Sequence, residues 1–323
     1  FYTDQDGSEG YPYLISNAED FNKYASNGAF ENSELYFRQV ADFSTDALNQ
    51  ASLMAHYDGD NHTITFTAKT TQPLFINVGS ESNSATLTNL TVVVSNSTTA
   101  IIAESLYGSI NRVITKGTIN ATLSVGGLVT SAYGGSQIIQ CANFATINAS
   151  GVPNVGGIVA SVESTNDKNV VTITECVNYG TITNVKTTSG STSAGYGGGI
   201  VGKISSKTNI TRCYNVGNIT GGTTAGIIGL VTEYINGDIN VSDTYNVCSS
   251  VGKCILGADQ RTNYSLVFTN VYSRSDGDEG VIDAGYTGMG VNSVTYNQLR
   301  KQATYANWTF GTNGTDTTGW VFI

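Results

Sequence analysis

The chain has 323 residues and a formal net charge of −10, and only 12% of its residues are Asp, Glu, Lys or Arg, about half the roughly 25% of an ordinary soluble domain. Helix surfaces are built largely from those residue types, so helical bundles, coiled coils and doubly wound α/β folds are disfavoured. The basic residues form no stripe that would bind nucleic acid, and there is no run of 18 apolar residues that would span a membrane.

The N-terminal region predicts a mixed cap. Residues 11–15 and 35–43 predict strands, and Asn17 can cap a helix from about Ala18 to Ala25, because a short polar side chain before a helix satisfies its free backbone N–H groups. Residues 58–61 predict a turn before another strand, because Asp, Gly and Asn favour turns.

A tetrapeptide then recurs seven times: a small residue, two apolar residues and usually a second small residue. Its copies begin at Pro73, Ala100, Gly127, Gly157, Gly199, Gly226 and Cys254, at spacings of 27, 27, 30, 42, 27 and 28 residues. A second pattern follows each copy and is clearest at 141–147, 176–182 and 213–219, where it reads Cys-x-Asn-x-Gly/Ala-x-Ile. A unit of 27 residues is too short for a strand–helix–strand crossover and fits one coil of short strands. The 42-residue unit is expected to carry an insertion at 184–197, in a loop at a corner of the coil.

Stacked coils place equivalent residues above one another at about 4.8 Å. Asn143, Asn178, Asn215 and Asn246 should then form a buried amide ladder, in which each amide bonds the next. Repeated like charges would repel along such a column, which explains the scarcity of charge.

We therefore predict an all-β fold, a parallel β-solenoid of about eight to nine coils with capped ends. Residues 1–72 are the expected N-terminal cap and first coils, 73–275 the repeating coils, and 276–323 the C-terminal cap of one continuous domain. In that last region residues 296–304 predict a helix, and 308–310 and 320–322 predict apolar strands that close the last coil.

These repeats resemble those of bacterial surface proteins that carry the GLUG repeat. The matching segments are Gly127-Leu128-Val129, Gly157-Ile158-Val159, Gly199-Ile200-Val201-Gly202, the Cys-Tyr-Asn strand at 213–215, the entry at 12–21, the turn at 58–64 and the ending at 296–320. The resemblance implies a right-handed parallel β-helix, secretion, and a non-enzymatic, adhesin-like role at the cell surface. The family's motif is structural, so the resemblance implies no catalytic residues in this chain.

A carbohydrate-active enzyme is the less favoured hypothesis, since glycoside chemistry needs clustered carboxylates. The candidate cluster is Asp42, Asp46, Asp58, Asp60 and His62. The alternative interpretation is that the carboxylates shape a turn and that His62 is an ordinary strand residue.

Metal and disulfide candidates lie elsewhere. Asp276, Asp278 and Asp283 offer alternating oxygens that suit Ca²⁺, but the full twelve-residue loop is missing, which favours an ordinary acidic turn, and no other cofactor is expected. Cys248 and Cys254 could form a disulfide in an exported chain. The other cysteines are expected to be buried thiols.

Four tyrosines, Tyr179, Tyr214, Tyr245 and Tyr272, are predicted to point outward and stack. Such an aromatic ladder could bind a glycan or a protein on another surface, or it could only stabilise the sheet.

Asn-x-Ser/Thr sequons occur at Asn61, Asn89, Asn96, Asn120, Asn148, Asn209, Asn218, Asn240, Asn263, Asn307 and Asn313. They are glycosylation candidates if the source adds N-glycans.

Two functions are therefore expected from the sequence as a whole. One is an extracellular adhesin, and the other is a structural subunit of a glycosylated filament or surface layer that binds copies of itself.

Overall fold

The structure, a computed structural model, describes residues 5–151, 153–164, 169–185, 195–232, 237–247, 252–262, 264–274 and 290–305. Over these ranges the chain forms three stacks of short strands. Every pairing between named strands in these ranges is parallel, with equivalent positions of successive repeats side by side.

The largest stack holds 21 strands. They are Tyr13–Ile15, Tyr36–Gln39, Phe43–Thr45, His56–Asp58, Thr63–Thr70, Thr86–Ser97, Ser109–Ala121, Gln137–Ile139, Ala142–Asn143, Thr146–Ala149, Val171–Thr174, Val177–Asn178, Ile182–Val185, Thr208–Thr211, Tyr214–Asn215, Ile219–Gly221, Ile239–Ser242, Tyr245–Asn246, Leu266–Thr269, Val271–Arg274 and Val291–Val294.

Two smaller stacks contain the tetrapeptides and the residues before them. The seven-stranded stack comprises Phe75–Val78, Ala103–Leu106, Val129–Tyr133, Val159–Glu163, Val201–Ile204, Ile228–Val231 and Leu256–Asp259. The four-stranded stack comprises Val125–Gly126, Asn154–Gly156, Tyr196–Gly198 and Thr223–Ala225.

The register follows the repeat. In the seven-stranded stack Val129 pairs with Val159, and Val159 pairs with Val201. In the large stack Ile138 pairs with Ile173, and Ile173 with Ile210. These residues are all buried in one continuous apolar core. The prediction of an all-β fold with parallel, solenoid-like sheets is therefore confirmed.

Both ends contain short helices. The N-terminal helix spans Ala18–Ser26, and the Asn17 side chain accepts a hydrogen bond from the Asp20 N–H, as predicted. The strand predicted at 35–43 is wrong in one respect, because it is broken into Tyr36–Gln39 and Phe43–Thr45. The buried Gln39 side chain donates to the Ala41 carbonyl, which fixes a turn at the break.

Near the C-terminus the predicted single helix is also divided. A one-turn α-helix spans Tyr296–Leu299 and a 3₁₀ helix spans Gln302–Tyr305. Thr295 and Gln298 form a reciprocal capping box that begins the first turn. The Lys301 backbone N–H then bonds the Gln298 carbonyl at 2.9 Å, the link between residues three apart that is typical of a 3₁₀ turn, and the α-helix ends at Leu299.

The core contains the predicted amide ladder. Asn143 donates to the Asn178 side chain at 2.8 Å, Asn178 to Asn215 at 2.8 Å, and Asn215 to Asn246 at 3.0 Å. All four asparagines are fully buried. The Thr115 hydroxyl continues the ladder by donating to the Asn143 side chain.

The first residue of the four tetrapeptides that begin with glycine, Gly127, Gly157, Gly199 and Gly226, packs on this ladder. A Cβ atom on Gly127 would lie 2.5 Å from Cγ of Asn143, and one on Gly157 would lie 2.4 Å from Cγ of Asn178. Real Cβ atoms do not approach other atoms so closely. The tetrapeptide and the Cys-x-Asn pattern therefore recur together because the glycine of one packs against the asparagine of the other.

A bend between strands repeats along the large stack. In seven successive coils the residue at this bend has a left-handed φ of 48° to 56°. These residues are Asn89, Arg112, Gln140, Glu175, Arg212, Asp243 and Asn270. This conformation is unfavourable for most side chains. Several of these side chains bond one another: Glu175 accepts from Gln140 and Arg212, each at 2.8 Å, and Asp243 accepts from Asn270 at 3.0 Å.

Candidate functional site

The predicted acidic cluster near the N-terminus is divided among separate local contacts. Asp42 accepts hydrogen bonds from the Thr63 backbone N–H at 2.8 Å and from the His62 ring at 3.0 Å. These two hydrogen bonds lower the pKa of Asp42, and the bond from the Thr63 N–H has the larger effect. Asp46 bonds the Thr67 hydroxyl.

The other two carboxylates shape the turn. Asp58 accepts from the Asp60 backbone N–H at 2.9 Å and from the Asn89 amide at 2.8 Å. Asp60, with φ of 45°, forms an ion pair with Arg38 at 2.8 Å. Each carboxylate thus has a structural partner, which agrees with the turn interpretation.

The aromatic ladder is present, but its members differ in register and exposure. Tyr214 pairs with Tyr245, and Tyr245 with Tyr272, as equivalent residues of successive repeats. Val177 is the equivalent of Tyr214. Tyr179 therefore belongs to a second outward column, two residues further along the strand.

Two pairs of outward rings stack face to face, and a third pair is perpendicular. The rings of Tyr214 and Tyr245 are stacked with centroids 4.9 Å apart and planes 2° apart, and Phe144 stacks on Tyr179 at 4.7 Å and 15°. Tyr179 and Tyr214 meet at 89°, with their hydroxyl oxygens 2.8 Å apart. Much of the ring-face area is therefore used within the ladder, while ring edges remain at the surface.

The C-terminal end of the ladder is covered by the two short helices. Tyr272 is only 5% exposed and packs with Leu299 and Tyr305, while Tyr245 packs beside them. The ring centroids of Tyr272 and Tyr305 are 4.8 Å apart. Tyr272 therefore does not belong to an accessible binding face, because the chain itself occupies that position.

An exposed apolar column lies beside the ladder, and sequence reasoning identified only one of its members. Phe144, Tyr179 and Val216 each follow an asparagine of the amide ladder, and they are 45%, 41% and 39% exposed. Lys116 lies at the N-terminal end, its ammonium 6.0 Å from the Phe144 ring centroid. The sequence could also have identified Phe144 and Val216. Each follows an inward-facing asparagine, and side chains alternate along a strand, so the next residue points outward.

The sequon asparagines are partly engaged with each other. Asn120 donates to Asn96 at 2.9 Å, Asn148 donates to Asn120 at 2.8 Å, and Asn240 donates to Asn209 at 3.0 Å. These side chains form outer amide pairs between neighbouring repeats. Asn263, Asn307 and Asn313 lie outside the described residues.

The cysteines at 141, 176 and 213 are buried free thiols, as predicted. Burial, aided by the two neighbouring thiols, raises the pKa of Cys176 well above its usual value. The Cys254 sulfur lies 3.3 Å from the Arg274 carbonyl oxygen. Cys248, and with it the predicted Cys248–Cys254 bridge, lies outside the described residues, as do Asp276, Asp278 and Asp283.

In the part of the chain that the structure describes, His, Cys, Asp and Glu side chains form no group of three suited to a metal ion. Across the same ranges, no helix has both the length and the apolar character needed to cross a membrane.

Comparisons with known proteins identify a fold. No family model matches the chain, and no curated protein matches it. The chain is similar to a crystal structure from Bacteroides ovatus described as "a putative immunoglobulin A1 protease", with a TM-score of 0.51 and 18% sequence identity over 96% of this chain and 93% of that one. At this identity the similarity concerns the fold alone.

Proposed function

We propose that the protein is a non-enzymatic, adhesin-like, right-handed β-helix of about eight to nine coils that belongs with the GLUG-repeat surface proteins and acts outside the cell. Parallel strands joined by crossovers are almost always connected with a right-handed sense. Repeats that stack on one another give a rigid rod with long repetitive faces. Such a rod is suited to presenting a binding surface.

One observation carries the proposal: the exposed column of Phe144, Tyr179 and Val216. Exposed apolar residues are ordinary when they are scattered, but here three stand on consecutive repeats at about 4.8 Å spacing. Contiguous apolar surface on a protein rimmed by polar groups marks interaction sites.

The ring geometry favours a protein partner over a glycan. A sugar binds an aromatic residue by lying on the ring face, and Phe144 and Tyr179 use ring faces against each other and towards Lys116. Ring edges and the Val216 side chain remain, and these can pack against apolar protein side chains. Glycan binding is the other outcome that the experiment below distinguishes.

The experiment compares the purified wild-type protein with the double variant Phe144→Ser/Tyr179→Ser. Binding is measured by biolayer interferometry against a panel of extracellular-matrix and mucosal proteins, and on a glycan array. The control is Val267→Ser, because Val267 is 44% exposed but stands outside the column. We expect saturable binding to at least one protein, lost in the double variant and kept in the control. Failure to bind any member of either panel, or equal binding by all three proteins, would refute the proposal.

A structural subunit of a filament or surface layer is the second candidate. The stacked rings and the outer amide pairs Asn120–Asn148 and Asn209–Asn240 stabilise contacts between repeats without any external ligand. Electron microscopy of native material decides between the two, because fibres or sheets of this chain would favour assembly over adhesion.

A peptidase function, suggested by the name of the structural neighbour, is not part of the proposal. The candidate carboxylates Asp42, Asp58 and Asp60 and the His62 ring are engaged in local hydrogen bonds and an ion pair, which supports a structural role for them. Incubation with immunoglobulin A1 or with a polysaccharide panel should leave both intact. Cleavage that is lost in Asp58→Ala would overturn this part of the proposal.

A further inference from the structure

We infer that Tyr179 and Tyr214 are a site of oxidative cross-linking, where a peroxide-driven one-electron oxidant such as a haem peroxidase converts the two phenols into a dityrosine. This inference does not depend on the adhesin proposal. It rests on the position of the two hydroxyl groups and on the exposure of one ring.

The two rings are perpendicular to each other, and their hydroxyl groups are in contact. Their hydroxyl oxygens are 2.8 Å apart, their centroids 6.0 Å apart, and their planes 89° apart. Dityrosine joins the ring carbons next to the two hydroxyl groups, so the hydroxyls of the product stand side by side. The hydrogen bond between the hydroxyls therefore already holds the reacting edges close to each other.

Exposure gives the oxidant access. Tyr179 is 41% exposed at the surface, so a diffusing oxidant can take an electron from it directly. Tyr214 is half-buried, and burial raises its pKa above the usual tyrosine value. Tyr214, like any tyrosine, is protonated at neutral pH, so its oxidation to a phenoxyl radical also releases a proton. The Tyr179 oxygen lies within hydrogen-bond distance to assist that loss.

The chemistry balances with hydrogen peroxide as the oxidant. Each tyrosine loses one electron and one proton and becomes a phenoxyl radical, and the two electrons and two protons reduce one peroxide molecule to two waters. The radicals couple through their ortho carbons, one carbon–carbon bond forms, and both rings recover aromaticity by moving the ortho hydrogen to oxygen. The protein loses two hydrogen atoms in total, and a covalent link joins neighbouring repeats.

Another tyrosine pair provides an internal comparison. Tyr107 and Tyr133 lie closer, with centroids 4.5 Å apart and planes 5° apart. Both of these rings are half-buried, whereas Tyr179 is 41% exposed. The oxidant therefore reaches Tyr179 more readily, which predicts faster coupling at Tyr179–Tyr214, although the two rings of the other pair are nearer.

The test treats dilute, folded protein with a haem peroxidase and limiting hydrogen peroxide, and then maps cross-linked peptides by mass spectrometry. We expect a monomeric product in which the peptides of Tyr179 and Tyr214 are joined with a loss of two hydrogen masses, together with dityrosine fluorescence. The Tyr214→Phe and Tyr179→Phe variants should each lose this peptide. The Tyr107→Phe variant should keep it.

Several results would overturn the inference. They are the absence of the Tyr179–Tyr214 peptide, an equal or higher yield of the Tyr107–Tyr133 peptide, or a yield that rises with protein concentration, which would indicate coupling between molecules. Far-UV circular dichroism of each variant verifies that the phenylalanine substitutions leave the fold intact. If one variant is misfolded, the other still tests the pair.

Discussion

The buried amide ladder makes a specific prediction for the variant Asn143→Ala. The Asn143 side chain accepts from the Thr115 hydroxyl at 3.0 Å and from the Ala145 N–H at 2.9 Å, and it donates to the Ala145 carbonyl at 3.2 Å and to Asn178 at 2.8 Å. Truncation removes the partner of three buried groups: the Thr115 hydroxyl and both backbone groups of Ala145. Asn178 keeps its bond from the Gly180 N–H.

Each buried polar group left without a partner costs about 1–3 kcal/mol, so three such groups cost about 3–9 kcal/mol in free energy of unfolding. The assay is urea unfolding followed by far-UV circular dichroism. With a slope of about 3 kcal/mol per molar urea, the unfolding midpoint should fall by at least about 1 M.

Asn240→Ala is the matched control for this variant. Asn240 is an exposed asparagine of the same large stack, outside the buried ladder. Its side chain donates one hydrogen bond, to the Asn209 side chain at 3.0 Å. The substitution is chemically identical, but water can replace the lost partner, so the cost should stay below about 1 kcal/mol. Equal midpoints for the two variants would show that the buried ladder does not stabilise the fold as argued.

Three more predictions concern packing and titration. Gly157→Ala should destabilise the protein by several kcal/mol, because its Cβ would lie 2.1 Å from the Gly199 carbonyl oxygen, while Gly10→Ala, which meets no atom within 4 Å, should be nearly neutral in the same urea titration. The Cys176 thiol should resist iodoacetamide at pH 8 in the folded protein and react in urea, because burial raises its pKa. Rapid labelling of Cys176 in the folded protein, detected by peptide mass spectrometry, would contradict this prediction. Burial raises the pKa of Tyr245 above its ordinary 10.0, so the stability that this tyrosine contributes should be complete below pH 10 and decrease as the pH rises above it. Tyr245→Phe should reduce this alkaline loss in thermal melts, and an unchanged pH profile would refute the assignment.

The repeat determined much of the fold in advance. The asparagines predicted to be equivalent, Asn143, Asn178, Asn215 and Asn246, are in register across the large stack. They were identified from the recurring sequence pattern and its spacing. A sequence period is visible because each repeat makes the same contacts with its neighbours, so the same residue types recur at the same positions.

The bend residues show where such reasoning stops. Asn89, Arg112 and Glu175 share a left-handed φ at one position of the repeat, but their side chains share no common chemistry. No residue pattern therefore marked the bend. The side-chain bonds of Glu175 to Gln140 and Arg212 became evident only from the stacking of three repeats. They also show that charge is accepted in a column when opposite or neutral partners are adjacent.

The sequence by itself determined the parallel, repetitive β architecture, the inward face of each repeat and the scarcity of stacked like charges. Only the tertiary structure decided which outward residues are accessible. Tyr272 and Tyr179 are both outward by alternation, but Leu299 and Tyr305 cover Tyr272 and leave Tyr179 exposed. The physical reason is that periodicity reports contacts repeated in every unit, whereas the covering of a surface depends on a single segment that packs once and leaves no period in the sequence.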